Sequence, residues 1–386
     1  MLKVIFINLY TLYDKDIPLY YPGSDAFFRF GMGAFIAEEF TLRNYPLTFE
    51  NWRMDLRIGE YMEKTVDGLK CRVFPSKRRK WLSEYSASLF KALKNEAGNK
   101  EVVFHFIGAH NRIYHLMARV VRKNKIISTH IGGANPYWLY KNERSKKALI
   151  NYLLEKIVLL KPYDHFLSSS RSEIQYFEML RKGASHLPVF GIPMLDQLTI
   201  RNRCDERRQL GLPLDKKILL QVGRATKARG FDWIIPILDE LKNVEDYFFV
   251  FVGVHEEDEY YQELKERKVY LRSYLPRQEL APYYNAADVL FYLPNGKMDL
   301  EFAGTSYVPL EALACGAPVV ATTLRHFPGA EIEYVARIPE KKEDVIPMIQ
   351  EILSLNISRQ RCREVVLKHF SWDNVIAKHW QIYNAN

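Results

Sequence analysis

The 386 residues hold no uninterrupted apolar run near the ~18 that a membrane-crossing helix needs, so no integral helical membrane protein is expected. Cysteine is scarce and scattered. Cys71, Cys204, Cys315 and Cys362 stand singly, without CxxC or Cys/His spacing, which sets aside zinc sites and redox pairs and fits a reducing cytoplasm. The strand-like run from Leu2 to Leu9 follows Met1 directly, with no basic n-region and no small-residue cleavage site, so no secretory signal is expected. Short-period repeats and low-complexity segments are missing as well, which excludes repeat arrays and disordered chains.

What is present is globular composition, 48% apolar and 26% charged, in a chain longer than one hydrophobic core usually serves. Two domains are therefore expected. Lys and Arg exceed Asp and Glu by 55 to 46, a formal charge of +9, with a dense run at Lys77-Arg-Arg-Lys80. Nucleic acid, anionic lipid headgroups and phosphorylated metabolites all suit that charge, as does a solvated face, and charge alone does not choose.

Short apolar runs alternate with longer amphipathic stretches, the pattern of β/α units on a mainly parallel sheet. Lys3 to Leu9, Glu101 to Ile107, Lys125 to Thr129 and Asp164 to Ser168 read as strands of a first unit, with helices at Ile113 to Arg122 and from about Ser172. Phe190-Gly-Ile-Pro-Met194 reads as a connector. A second series of strands follows at Lys217 to Val222, Tyr247 to Val252, Val269 to Leu271, Val289 to Tyr292 and Pro318 to Ala321. Two Rossmann-like halves result. The tail from Ser371, a candidate N-cap, has apolar residues at helical spacing and is expected to pack on the body.

Two stretches carry candidate chemistry. In Val222-Gly-Arg-Ala-Thr-Lys-Ala-Arg-Gly230, a buried strand runs into Gly223, and Arg224, Lys227 and Arg229 follow before Gly230 opens a helix. Cations at a strand's C-terminal edge, beside a helix N-terminus, suit a diphosphate. A solvated basic loop is the plain alternative. In Gly304 to Thr322 a lone carboxylate, Glu311, stands among small and apolar residues. Placed in the first turn of a helix that begins at Pro309 and ends at Gly316, it is favoured by the helix dipole; placed at a ligand edge, it can hold two ribose hydroxyls. The residues leave both readings open.

In this order and spacing, Val222-Gly-Arg224, Arg229-Gly-Phe-Asp232, Glu279-Leu-Ala-Pro-Tyr-Tyr-Asn-Ala-Ala-Asp-Val289 and Val308-Pro-Leu-Glu-Ala-Leu-Ala-Cys-Gly-Ala-Pro-Val-Val-Ala321 resemble the retaining glycosyltransferases of the "glycosyl transferases group 1" family. The resemblance is strong over residues 186 to 330 and looser before, where Ser128-Thr-His130 and Asp164 to Ser170 match. It implies an α/β GT-B fold: two Rossmann-like domains facing a cleft, residues 1–190 binding the acceptor and 191–370 the nucleotide sugar, with the helix 371–386 packing back on the first. It implies that Gly223, Arg224, Lys227 and Arg229 hold the donor diphosphate, with Gly304 and the backbone of Val308, Pro309 and Leu310, and that Glu311 holds the ribose. His130 would face the transferred sugar, and Gly23, Gly31 and Gly33 supply the phosphate-proximal loop. One departure is Ala303, where the family has a second glutamate for the sugar; Asp299 and Glu301 are the candidate replacements. His105, His110 and His115, spaced by five, read as ordinary polar or core histidines.

The implied reaction transfers a hexose from a nucleotide-diphosphate sugar, UDP or GDP, to a glycan or lipid-linked acceptor with retention. The two arginines and helix N-termini stabilise the leaving diphosphate, so neither metal nor other cofactor is expected. Closure about Phe190 to Met194 would exclude water. Cytoplasmic placement with peripheral membrane contact, first at Lys77 to Lys80, is expected, and no nucleic acid. The rivals are a nucleotide-sugar epimerase of the same fold and a non-catalytic nucleotide-sugar-binding relative.

Overall fold

The computed structural model describes residues 1–8, 22–79, 83–108, 112–131, 134–180, 183–188, 190–241, 245–296 and 304–385. The chain divides into two compact units, Met1–Val189 with Ile376–Asn386, and Phe190–Val375.

The first unit is built on strands β1 (Lys3–Asn8), β2 (Thr48–Asp55), β3 (Met62–Val66), β4 (Leu69–Pro75), β7 (Val102–Gly108), β8 (Lys125–His130), β9 (His165–Ser168) and β10 (Ala184–His186), with a separate hairpin of β5 (Lys77–Arg79) and β6 (Ser83–Tyr85). The sheet order is β10-β9-β8-β7-β1-β2-β4-β3, parallel except for the edge pair β3–β4. Its central strands are buried on both faces and read as continuous apolar runs, as in β1 and β7.

Sequence patterning locates β1, β7, β8 and β9 but passes over β2, β3 and β4. The reason lies in their charges. β2 carries Glu50, Arg53 and Asp55 on a strand whose residues after Thr48 are all buried. Arg53 and Asp55 are both fully buried and paired at 2.6 Å, and Arg53 also donates to the Phe27 carbonyl at 2.8 Å. The exposed centre of β3 is the polar covering of an edge strand.

The tail forms a helix, Trp372–Asn384, whose later residues pack on this first unit, as the sequence predicts. Ser371 Oγ accepts from Asn374 N at 3.4 Å, the expected cap. The Tyr383 hydroxyl forms a hydrogen bond with His105 Nδ1 at 2.8 Å, and His105 Nε2 meets Thr129 Oγ1 at 2.6 Å. Burial, with His379 nearby, lowers the His105 pKa well below its usual value, so the ring is neutral and serves structure. His115 is likewise buried; His110 lies outside the described residues.

The second unit holds β11 (Lys217–Val222), β12 (Tyr247–Val252), β13 (Tyr270–Arg272), β14 (Val289–Tyr292), β15 (Val319–Ala321) and β16 (Ala336–Arg337), all parallel, in the order β13-β12-β11-β14-β15-β16. Three of these strands have the bounds the apolar runs predict. Arg207 anchors the preceding helix, Arg203–Leu210, donating to the Ala286 carbonyl at 2.9 Å and to Asp288, which also receives the Ile218 N–H at 2.7 Å. Buried charge is thus paired at the base of the sheet.

Candidate functional site

Strand order places the site of the second unit. The chain walks from β11 outward to β13, then returns to lay β14 on the other flank of β11, and the loops after β11 and β14 therefore rise on either side of a topological switch point. Gly223 has φ 130° and Gly230 has φ 82°, left-handed conformations that side chains resist. Gly230 also sits against the second loop so closely that a Cβ would lie 1.8 Å from the Leu293 carbonyl oxygen. Asn295 Nδ2 donates to Asp232 Oδ1 at 2.9 Å, and Thr322 Oγ1 to the Pro294 carbonyl at 2.6 Å.

On this locked frame Gly223, Arg224, Lys227 and Arg229 come together at the sheet's C-terminal edge, the three cations exposed. Arg224 Nε donates to Asp258 Oδ1 at 2.6 Å, on the β12 side, and Arg229 donates to the Tyr292 hydroxyl at the end of β14. The loop is braced toward both neighbours. Asp258 was not legible in the sequence as a partner. Burial pushes its carboxyl up, but hydrogen bonds from His255 N, Ala225 N and Arg224 outweigh this and hold its pKa below the usual value. Lys227 donates its backbone N–H to Glu259 at 2.9 Å, and its ammonium faces outward. Beneath the loop, the fully buried Gln221 has no hydrogen-bond partner on either amide atom.

The helix carrying Glu311 spans Tyr307–Ala314, so it begins two residues before Pro309. This corrects the sequence reading. Glu311 is the fifth helical residue, beyond the first turn, and the dipole no longer explains it. The backbone reading changes too: Pro309 has no N–H, Leu310 is the first residue able to bond back within the helix, and the free amides are Ser306, Tyr307 and Val308. Ser306 makes no side-chain cap, and the buried Thr305 hydroxyl beside it has no partner. Gly316, φ 84°, ends the helix as predicted, with Gly316 N on Leu313 O at 3.0 Å and Ala317 N on Ala312 O at 2.9 Å. Arg363 and Arg359 close the last carbonyls, those of Ala314 and Cys315, at 2.7 and 2.8 Å.

Glu311 itself is 1% exposed. The Tyr284 hydroxyl donates to Oε2 at 2.8 Å. Arg277 Nε lies 3.0 Å from Oε1 in an ion pair without hydrogen-bond alignment, so Oε1 retains acceptor capacity. Burial raises the Glu311 pKa, against the opposing pull of Tyr284 and Arg277. Burial, with Glu311 adjacent, drives the Tyr284 pKa well above its usual value and keeps it a donor. Neither Tyr284 nor Arg277 announced this role in the sequence. Gly304 is buried with φ 70°. Asp299, Glu301 and Ala303 lie outside the described residues.

The remaining candidates stand in the first unit. His130 ends β8, buried, its ring 4.5 Å from that of Phe177 and its Nδ1 4.0 Å from Glu173 Oε2. Glu173, unremarked in the sequence, accepts from Asn135 at 2.9 Å. Gly31, φ 116°, caps the helix Met32–Leu42 against Asn8 at the end of β1; Gly33 packs on Phe6; Gly23, φ 102°, stands in open space. Among the described residues no group of three His, Cys, Asp or Glu is arranged to hold a metal ion.

Residues 202–368 match the family model described as "Glycosyl transferases group 1". A D-inositol 3-phosphate glycosyltransferase of Corynebacterium aurimucosum is 28% identical over 209 residues, 50% of this chain and 47% of that protein. The chain spans about half the length of the curated relatives it matches. The sucrose-phosphate synthase structure from Thermosynechococcus elongatus aligns with a TM-score of 0.61 and 18% identity over 99% of this chain and 98% of that one. The E. coli structure described as trehalose-6-phosphate bound with UDP-2-fluoro glucose aligns with a TM-score of 0.64 and 12% identity over 99% of each. The fold is GT-B, as the sequence predicts.

Proposed function

We propose, on the premise that residues 202–368 belong to the glycosyl transferases group 1 family, that the chain transfers a hexose from a nucleotide-diphosphate sugar to a glycan or lipid-linked acceptor. The observation that supports this reading is one of topology: Arg224, Lys227 and Arg229 follow β11, and the uncapped Tyr307–Ala314 helix with the buried acceptor Glu311 follows β14, its neighbour across the switch point. Arg224 and Arg229 bind the diphosphate through charge-assisted hydrogen bonds, joined by the free N–H groups of Ser306, Tyr307 and Val308. Glu311 Oε1 accepts from the ribose hydroxyls, with Tyr284 fixing the carboxylate's orientation.

As the anomeric C–O bond breaks, negative charge accumulates on the leaving diphosphate, and preorganised donors stabilise it more than the ground state. The sugar bears the matching positive charge, and attack on the face from which the diphosphate departs gives retention. The cations are sufficient for this role, so the reaction is metal-independent. His130 contributes on the acceptor side, where Gly23, Gly31 and Gly33 shape the first unit's loop; Asp299 or Glu301 contacts the sugar. The donor is a UDP- or GDP-sugar, a choice supported by the neighbour that holds UDP-2-fluoro glucose. The protein works in the cytoplasm at the membrane's inner face.

The test is incubation with labelled UDP- and GDP-sugars, with and without a mixed glycan and lipid-linked acceptor fraction. Acceptor-dependent label transfer with the donor's anomeric configuration in the product is expected. Interconversion of the sugar without acceptor would identify an epimerase instead.

A further inference from the structure

The helical segment between β8 and β9 is amphipathic in the wrong sense for a protein core. Ala148 and Glu155 face inward, Tyr152 packs on Tyr137 at 5.1 Å, and Arg112 holds Asn151 at 2.6 Å. On the outward side Ile150, Leu153, Leu154 and Ile157 stand at positions i, i+3, i+4 and i+7 of one helical face. All are exposed, Ile150 by 55% and Ile157 by 58%. The stripe crosses from the helix Lys146–Leu154 into a π-helical turn at Glu155–Leu159, which keeps Ile157 outward. Exposed Arg144, Lys146, Lys147 and Lys156 border it. Between residues 141 and 161 stand six Lys or Arg and two acids, Glu143 and Glu155, and Glu155 is buried.

We propose that this face docks on an anionic bilayer surface, the aliphatic stripe entering the headgroup boundary and the cations meeting lipid phosphates. Four aliphatic side chains framed by basic ones are the pattern of an interfacial helix, for which apolar burial and attraction to anionic lipid act together. A second copy of the chain suits the face poorly, because a two-fold contact would bring together two faces that both carry Arg144, Lys146, Lys147 and Lys156. A protein partner is poorly matched too, since lysine is depleted from interface centres. The basic hairpin Lys77–Arg79, the first candidate from sequence, is exposed on all three residues, but no exposed large apolar side chain flanks it among the described residues. The inference deepens the membrane side of the proposed function but uses no residue of the nucleotide site.

Flotation of the full chain with vesicles tests it. The wild type is expected to float with equal parts phosphatidylcholine and phosphatidylglycerol, to stay behind with phosphatidylcholine alone, and to weaken with salt. Lys146→Gln with Lys147→Gln lowers partition by about fivefold for each lysine removed. Ile150→Ser with Ile157→Ser abolishes flotation, while Lys77→Gln with Arg78→Gln leaves it unchanged. All variants keep the wild-type melting temperature and UDP binding, since the altered side chains are exposed. A wild type that stays with the buffer, a loss that follows Lys77 and Arg78, or a dimer in sedimentation that the isoleucine pair dissolves would overturn the proposal. Flotation without nucleotide binding sinks the donor reading alone, and the reverse sinks this one alone.

Discussion

Glu311 is where local chemistry is most constrained. A carboxylate whose pKa is raised by burial binds its proton more tightly folded than unfolded, so its ionised form opposes folding at neutral pH and that opposition relaxes as pH falls. Glu311→Gln is therefore expected to leave the ligand-free protein at least as stable at neutral pH, by thermal denaturation. Its effect falls on the ligand. Losing a charged acceptor weakens nucleotide binding by about 1.5–3 kcal/mol, roughly tenfold to a hundredfold. In the wild type, affinity falls on acidification through a pKa above the ordinary 4.5 of a glutamate, and in the variant that step disappears. Calorimetry across the acid range measures both. Asp258 behaves oppositely: its lowered pKa keeps Arg224 braced well into acid.

At the scale of elements, the loop between β11 and the helix Phe231–Leu241 depends on one backbone approach. Gly230→Ala forces a Cβ against the Leu293 carbonyl and a side chain into φ 82°. The left-handed strain alone costs about 1–2 kcal/mol, and the overlap displaces Arg229. Urea unfolding should show a loss beyond that figure, with weaker nucleotide binding. Gly211→Ala, at φ 67° with nothing within 4 Å of the added Cβ, should show the strain alone. The apolar runs of β11, β12 and β14 made these elements legible, as did the glycine ending the Tyr307–Ala314 helix. The start of that helix was misplaced because Pro309 resembles a first-turn proline, whereas Ser306 and Tyr307 give little signal without a side-chain cap.

Across the whole molecule, the fold was legible in the alternation of apolar runs and amphipathic stretches, and the cations of the site in their clustering after β11. The partners that set the cations' geometry were not. Asp258 lies 34 residues from Arg224, and Tyr284 lies 27 from Glu311; topology alone brings them together. The strand β2 stayed hidden for a related reason, since its Arg53 and Asp55 are buried as a pair, and β4 interrupts its apolar residues with the half-buried Lys70 and Arg72. Asp55→Asn should expose that dependence. It leaves Arg53 buried without its counter-charge, for which about 3–5 kcal/mol of lost stability is expected in urea unfolding. A change within a few tenths of the wild type would mean that the Phe27 carbonyl and ring suffice for Arg53.

The central claim is a single diphosphate and ribose site on the second unit. Titration calorimetry of UDP and GDP against the wild type, Arg229→Ala and Glu311→Gln tests it most directly. One nucleotide binding at one site per chain, weakened tenfold or more by each substitution, is the predicted result. Binding by neither nucleotide, or equal affinity in all three proteins, would contradict it.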